Sequence, residues 1–151
     1  MVTTNYKVKC IRDKQVKYQA RGIDNSAILA DAIRNVVDAC GQNDRENFIV
    51  LMLDTKNKII GTNIAHQGTV NACTVGVKDV LRPAILMNAA AIAIGHNHPS
   101  GDIAPSQSDI EITKRIKHAC KIMQIKLHDH IIVNDIDNEY YSMSENDNLF
   151  Y

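Results

Sequence analysis

The chain has 151 residues, and its 17 Lys and Arg balance 17 Asp and Glu to zero net charge. One compact domain is the expectation at that length, and a composition of 45% apolar residues supplies core enough to fold without a disulfide or a structural metal. Balanced charge excludes a protein that grips phosphate backbones over its whole surface, because that grip needs surplus Lys and Arg. The opening MVTTNYKVKC holds no apolar run, and the longest apolar stretch, Ala89 to Ile94, falls far short of the ~20 residues of a membrane-crossing helix. Neither secretion nor membrane insertion is expected. Cys10, Cys40, Cys73 and Cys120 contain no CxxC pair, which fits reduced thiols in a cytoplasmic protein better than a disulfide framework or a cysteine-based zinc finger.

In chain order, Tyr6-Val8-Cys10 and Val16-Tyr18-Ala20 alternate with polar residues around Arg12-Asp13-Lys14, the pattern of a β-hairpin. This N-terminal hairpin (residues 1–22) carries Lys7, Lys9, Arg12, Lys14, Lys17 and Arg21 against Asp13 alone. The tail is the reverse: from residue 135 onward there are five acids and no Lys or Arg. Two solvated termini that pair with each other are the simpler account, ahead of an anionic partner at the N-terminus. Asp24-Asn25-Ser26 offers N-cap side chains, Leu29, Ile33, Val36 and Cys40 fall at helical spacing, and Gly41 stands where a C-terminal cap belongs. Phe48 to Leu53 is a continuous apolar run followed by the turn Asp54–Asn57 and a second strand from Lys58 to about Ala65. A helix is expected over Val77–Met87, with Pro83 removing one amide donor, then a short buried strand over Ala89–Gly95. The loop His96–Ser106 leads into a third helix on which Ile112, Ile116, Ala119, Cys120 and Met123 share a face. Leu127–Val133 reads as a strand, Tyr140–Met143 as an edge strand, and the last eight residues as loosely held. The elements alternate without a clean βαβ rhythm, so a mixed sheet flanked by helices, an α/β chain of α+β type, is expected.

The chemistry gathers at residues 96–109. His96 and His98 are two apart at a strand end, where the period of two aims both imidazoles to one side. Asp109 opens the following helix, eleven residues after His98, close enough for the loop to fold its carboxylate back to the same point. Two imidazoles and a carboxylate suit Zn²⁺ and leave the fourth position to water, whose pKa zinc lowers to about 7. A bland account competes: Ser106-x-x-Asp109 is also a capping box that needs no metal, and paired strand-end histidines are common. The combination in one segment carries the information. His128 and His130 alternate on the later strand and either could in principle close a metal shell, although a satisfied sheet histidine is the better account. His66, His118 and Ser100 have no partner in sequence. Lys114, Arg115, Lys117 and Lys121 give the third helix a basic side, an ordinary solvated face ahead of a surface for nucleic acid or an acidic partner.

His96-x-His98 followed after seven residues by Ser106-x-x-Asp109 resembles the JAMM (MPN+) metalloprotease signature H-x-H-x7-S-x-x-D. More narrowly, Arg45–Asn57, Gly68-Thr-Val70, Asn88-Ala-Ala, His96-Asn-His-Pro-Ser-Gly-Asp102 and Asp129-His-Ile-Ile-Val133 resemble the JAB domain of the bacterial RadC family, long labelled DNA repair, over about residues 25–143. The resemblance implies a JAMM/MPN+ fold of cytidine-deaminase-like architecture and a single RadC-like domain over 1–151. It implies that Glu46 is the general base for a zinc-activated water and that Ser106 donates its hydroxyl to the tetrahedral oxyanion. RadC proteins carry a helical, helix-hairpin-helix-like region ahead of this domain, where this chain has the basic hairpin and one helix. A DNA-binding role tied to that region is therefore not carried over.

The expectation is a cytoplasmic zinc metallohydrolase acting on a peptide or isopeptide amide, with His96, His98 and Asp109 as ligands and a peptide or protein conjugate as substrate. The rival is a DNA-repair or mobile-element accessory protein whose site binds metal without peptidase activity, with nucleic acid as a weakly supported partner. A zinc nucleobase deaminase shares the ligand-plus-glutamate logic, but its H-x-E and P-C-x-x-C pattern is absent. Substrate identity and oligomeric state have no signature in the chain.

Overall fold

The computed structural model describes residues 11, 13–17, 22–42, 44–68, 75–134, 136–147 and 150. Most of the N-terminal hairpin expected from alternation, with Lys7, Lys9, Arg12 and Arg21, lies outside the described residues, as do Cys10, Cys73 and the segment Thr69–Thr74. Residues 13–17, which are described, are in no strand, and Val16 packs against the core.

Helix α1 runs Ser26–Cys40, and the Asn25 side chain caps it by accepting from the Ile28 amide at 3.0 Å. Its C-terminus closes at Gly41, whose amide donates to the Val37 carbonyl at 2.8 Å. Strand β1 (Glu46–Leu53) is buried along its whole length, the mark of a central strand covered on both faces. It turns at Asp54, whose carboxylate accepts from the amides of Lys56 and Lys58 at 2.8 and 2.9 Å. Asn57 takes a left-handed φ of 55° there, a conformation Asn tolerates better than most residues. Strand β2 (Ile59–Gly68) returns antiparallel beside β1.

Helix α2 (Val77–Leu86) accommodates Pro83 at the loss of one backbone bond. Strand β3 spans Ala91–Asn97, two residues later than apolarity alone predicts, because Asn88 at φ 52° makes the turn between helix and strand. Helix α3 (Gln107–Ile122) begins at the Ser106 capping box and leads into β4 (Lys126–Val133). Ile112 and Ala119 pack on the core formed by Ile116 and Cys120, while Met123, expected on the same face, lies 44% exposed past the last turn. Strand β5 is only Tyr140–Ser142, since Met143 starts a short helix, α4 (Met143–Asn146), capped by Ser142. Among the described residues of the C-terminal segment, Met143 and Phe150 are better held than the composition suggests. Met143 is fully buried, Phe150 packs against the core, and the Lys117 ammonium stands 5.4 Å from the Phe150 ring centre.

The five strands form one mixed sheet in the order β2-β1-β3-β4-β5, parallel only between β3 and β4. Alternation along the strands sends Ile49, Leu51, Ala93, Ile131 and Val133 against α1, and Phe48, Val50, Met52, Ile92 and Ile94 against α2 and α3. Each large apolar side chain so buried contributes about 1.5–3 kcal/mol. Gly95 permits the close approach of α1: a methyl group there would overlap the Ile33 side chain and the Ile131 carbonyl oxygen. This three-layer packing is consistent with the fold that the resemblance implies, and it brings the β1 start, the β3 end and the α3 start together.

Candidate metal centre

Glu46, His96, His98 and Asp109 each offer a ligand atom, and these four atoms lie within 4.8 Å of one another. His96 Nε2 is 2.9 Å from His98 Nε2, 3.3 Å from Asp109 Oδ1 and 3.6 Å from Glu46 Oε1. His98 Nε2 is 4.0 Å from Asp109 Oδ2. The ladder explains the placement. Phe48 pairs with His96 across β1 and β3, which brings the start of β1 beside the end of β3, and the His98 amide still donates to Val133 of β4 at 2.9 Å, so strand geometry holds through His98. Phe48 stacks under the His96 ring at 5.9 Å and 9° and meets His130 edge-on. The imidazoles thus sit on an apolar floor.

Hydrogen-bond partners decide which nitrogen of each ring is bare. His98 Nδ1 faces the Asp102 carbonyl at 2.5 Å; a carbonyl only accepts, so Nδ1 carries a proton and Nε2 is the nitrogen turned inward. Burial pushes His96 down to about 4, with Asp109 opposing the shift and His98 adding to it, so His96 is a neutral imidazole at pH 7. Burial also raises the Glu46 carboxyl, with His98 opposing and Asp109 adding. Two imidazole nitrogens and two carboxylates converge here, and no Lys or Arg among the described residues pairs with either acid. Such a donor set fits a divalent cation of borderline softness.

Asp109 serves the helix as well. Its Oδ2 accepts from the Ser106 amide at 2.8 Å and from the Ser106 hydroxyl at 2.5 Å, while the Asp109 amide donates back to Ser106 Oγ at 3.2 Å. The capping box and the metal arrangement therefore coexist: Oδ2 closes the cap and Oδ1 faces the histidines. The Ser106 hydroxyl proton is engaged by Asp109.

Several residues that shape the site are not among its candidate ligands. Asn97, between the two histidines, accepts from the Asn47 amide at 2.9 Å and donates to the Arg45 carbonyl at 3.0 Å, clamping the peptide on both sides of Glu46. In sequence it stands inside the His96–Asp102 segment that carries the family resemblance, and its own signal is an amide residue inside a strand that must be buried. A bulge in β4 sets three of its residues against two of β3, with Ile92 paired to Leu127 and Ile94 to His130. It separates the two later histidines. His128 reaches Asn57 in the β1–β2 turn at 3.0 Å, whereas His130 touches His96 and Thr113. Neither joins the four-residue cluster, nor do His66, His118 or Ser100.

The family model of the RadC-like JAB domain matches residues 23–149. Among the relatives, a UPF0758 protein of Carboxydothermus hydrogenoformans is 47% identical over 103 residues, covering 68% of this chain and 45% of that protein. A UPF0758 protein of Clostridium perfringens is 41% identical over 120 residues, 80% of this chain and 52% of that protein. One from Haemophilus ducreyi is 41% identical over 68% of this chain and 45% of its own length. The chain spans about half the length of the curated relatives it matches. With its fold and its histidine-carboxylate cluster in the same segment as the family match, the chain belongs to the RadC family of JAB-domain proteins.

Proposed function

We propose that this RadC-like domain is a zinc-dependent hydrolase of peptide or isopeptide amide bonds, with His96, His98 and Asp109 holding the ion and Glu46 as general base. One observation carries the reading: one ligand atom from each of two imidazoles and two acidic side chains meet within 4.8 Å of one another, with no Lys or Arg among them. Zinc held there would polarise the scissile carbonyl and make a water acidic near neutral pH. Glu46 takes the proton of that attacking water and returns it to the leaving nitrogen, and its clamped backbone on β1 holds it to that task. Ser106, within the same loop, donates its hydroxyl to the oxyanion once its proton leaves Asp109 Oδ2. The unpaired Cys40 and Cys120 agree with a reducing, cytoplasmic setting.

The test is Glu46→Gln, which keeps shape while removing the base. In a screen of peptides and ubiquitin-like conjugates, wild type should show zinc-dependent turnover, and the variant should keep its zinc while its rate falls about 10²–10⁴-fold. An active wild type matched in rate by Glu46→Gln overturns the assignment of the base. The exposed Lys114, Arg115 and Lys121 on α3 favour a second reading, a DNA-repair or mobile-element accessory protein with a non-peptidase metal site. Salt-sensitive DNA retention without metal-dependent hydrolysis would select it.

A further inference from the structure

Behind His96 runs a chain of side chains outside the H-x-H-x7-S-x-x-D ligand signature. His96 Nδ1 lies 2.9 Å from His130 Nε2, His130 Nδ1 lies 2.5 Å from Thr113 Oγ1, and Thr113 Oγ1 lies 2.6 Å from the carbonyl oxygen of Asp109. His96, Thr113 and His130 are all at 0% exposure, so water cannot substitute for any link. The far end sets the polarity of the whole chain. The Asp109 carbonyl can only accept, so the single Thr113 hydroxyl proton goes to it; the Met143 sulfur, 3.4 Å away, is a farther and weaker acceptor. Thr113 Oγ1 must then accept from His130 Nδ1–H, which leaves His130 Nε2 bare to accept from His96 Nδ1–H. His96 Nε2 is left as a lone pair 2.9 Å from His98 Nε2 and facing Asp109 and Glu46, a cluster of acceptors that a cation between the two rings would complete.

We propose that Thr113 and His130 form a tautomer-setting relay: they hold His96 in the Nδ1–H form and so keep its Nε2 available as a ligand. This rests on the metal reading above and extends it to residues outside the ligand set. His130 and Thr113 are positioning residues, acting through His96. The relay also ties two ligand residues to each other, because it starts on the His96 ring of β3 and ends on the Asp109 backbone in the first turn of α3. Such outer partners fix ring orientation and donor strength, and their removal typically weakens metal binding 10–100-fold. Two histidines in series, closed by a threonine, do here what a carboxylate does at many metal sites. A neutral partner keeps the buried cluster from gaining a third negative charge.

Two measurements on the folded chain test this. In the metal-free protein at pH 8, long-range proton–nitrogen NMR should show His96 and His130 both protonated at Nδ1; a His96 signal from the Nε2–H form overturns the relay. Zinc affinity, by competition with a chromogenic chelator, should fall about 10–100-fold in His130→Phe, which keeps a ring but no acceptor. It should recover to within tenfold of wild type in His130→Gln, whose side-chain oxygen can accept at the Nε2 position. Thr113→Val should show a mixture of His130 tautomers while remaining folded. Zinc binding by His130→Phe as tight as wild type, or no recovery in His130→Gln, overturns the proposal. If wild type binds no zinc, the metal reading fails, and the tautomer spectrum still decides whether the relay exists.

Discussion

Asp129 and Asp109 are both buried carboxylates reached from the same sheet, and they keep opposite company. Asp129 Oδ1 accepts from the amides of His130 and Ser144 at 2.7 and 2.9 Å, and its Oδ2 from the hydroxyls of Ser142 and Ser26 at 2.6 and 3.0 Å. Every neighbour is a neutral donor, so the network is complete as it stands and joins α1, β4, β5 and α4. Asp109 has its cap donors on one oxygen, while the other faces His96, and Glu46 accepts no hydrogen bond from the described residues. A buried acid with all its donors supplied is a fastener. One left facing other acceptors is half of a candidate site, which a cation would complete.

The largest expected effect comes from breaking the fastener. Asp129→Ala orphans the buried His130 amide, the half-buried Ser144 amide and two buried hydroxyls and should cost roughly 3–5 kcal/mol of unfolding free energy, measured by urea denaturation of the metal-free protein. A cost under 1 kcal/mol would show that the serines re-pair or hydrate cheaply. The second effect belongs to the incomplete site. Zinc at about 100 times its dissociation constant should stabilise wild type by roughly 2.7 kcal/mol. His98→Ala should lose that gain, and Asp129→Ala should retain it wherever it folds. An undiminished gain in His98→Ala places the ligands elsewhere.

Acid should separate the two regions further. His96 and His130 are held below the usual histidine range by burial, so below about pH 6.5 the unfolded chain binds protons that the folded one refuses. Stability of the metal-free protein is therefore complete above that pH and is lost as pH falls toward about 4, by about 1.4 kcal/mol per pH unit for each histidine charged only when unfolded. Glu46 works against this slope, because its raised carboxyl keeps a proton in the folded state that the unfolded chain has released. Glu46→Gln should steepen the loss, and a slope unchanged by that substitution would remove Glu46 from the buried set. The smallest effect is the cap. Asp109→Ala without metal should cost about 1 kcal/mol through the lost capping box, and equal melting of the two metal-free proteins would cancel that structural role.

Much of the site was legible in the chain. His96, His98, Ser106 and Asp109 lie within one strand–loop–helix unit, so their meeting follows from strand alternation and a helix start, both local. Glu46 was reachable only through the family resemblance, since nothing in Arg45-Glu46-Asn47 sets that acid apart from any charge at a strand entrance. The alternation rule misled at His128 and His130: a bulge is a two-strand property, set by pairing β4 against β3, and a single strand's spacing cannot contain it. Met143 is similar. Its place after Tyr141 suits a strand, but the Ser142 side chain caps a helical turn there instead.

What the sequence by itself determined is what short-range physics controls. Apolar periodicity laid out α1, β1 and α3, the Asn25 and Ser106 caps marked where two helices begin, and the histidine pair with its carboxylate offered a candidate ligand set. The tertiary structure alone decided which other groups those ligands meet. Thr113 reaches His130, Asn97 clamps Glu46 and Asp129 gathers its serines only after the sheet order β2-β1-β3-β4-β5 is assembled. Contacts between residues far apart in the chain are selected by packing, where each buried donor must find its acceptor among whatever elements the core brings alongside.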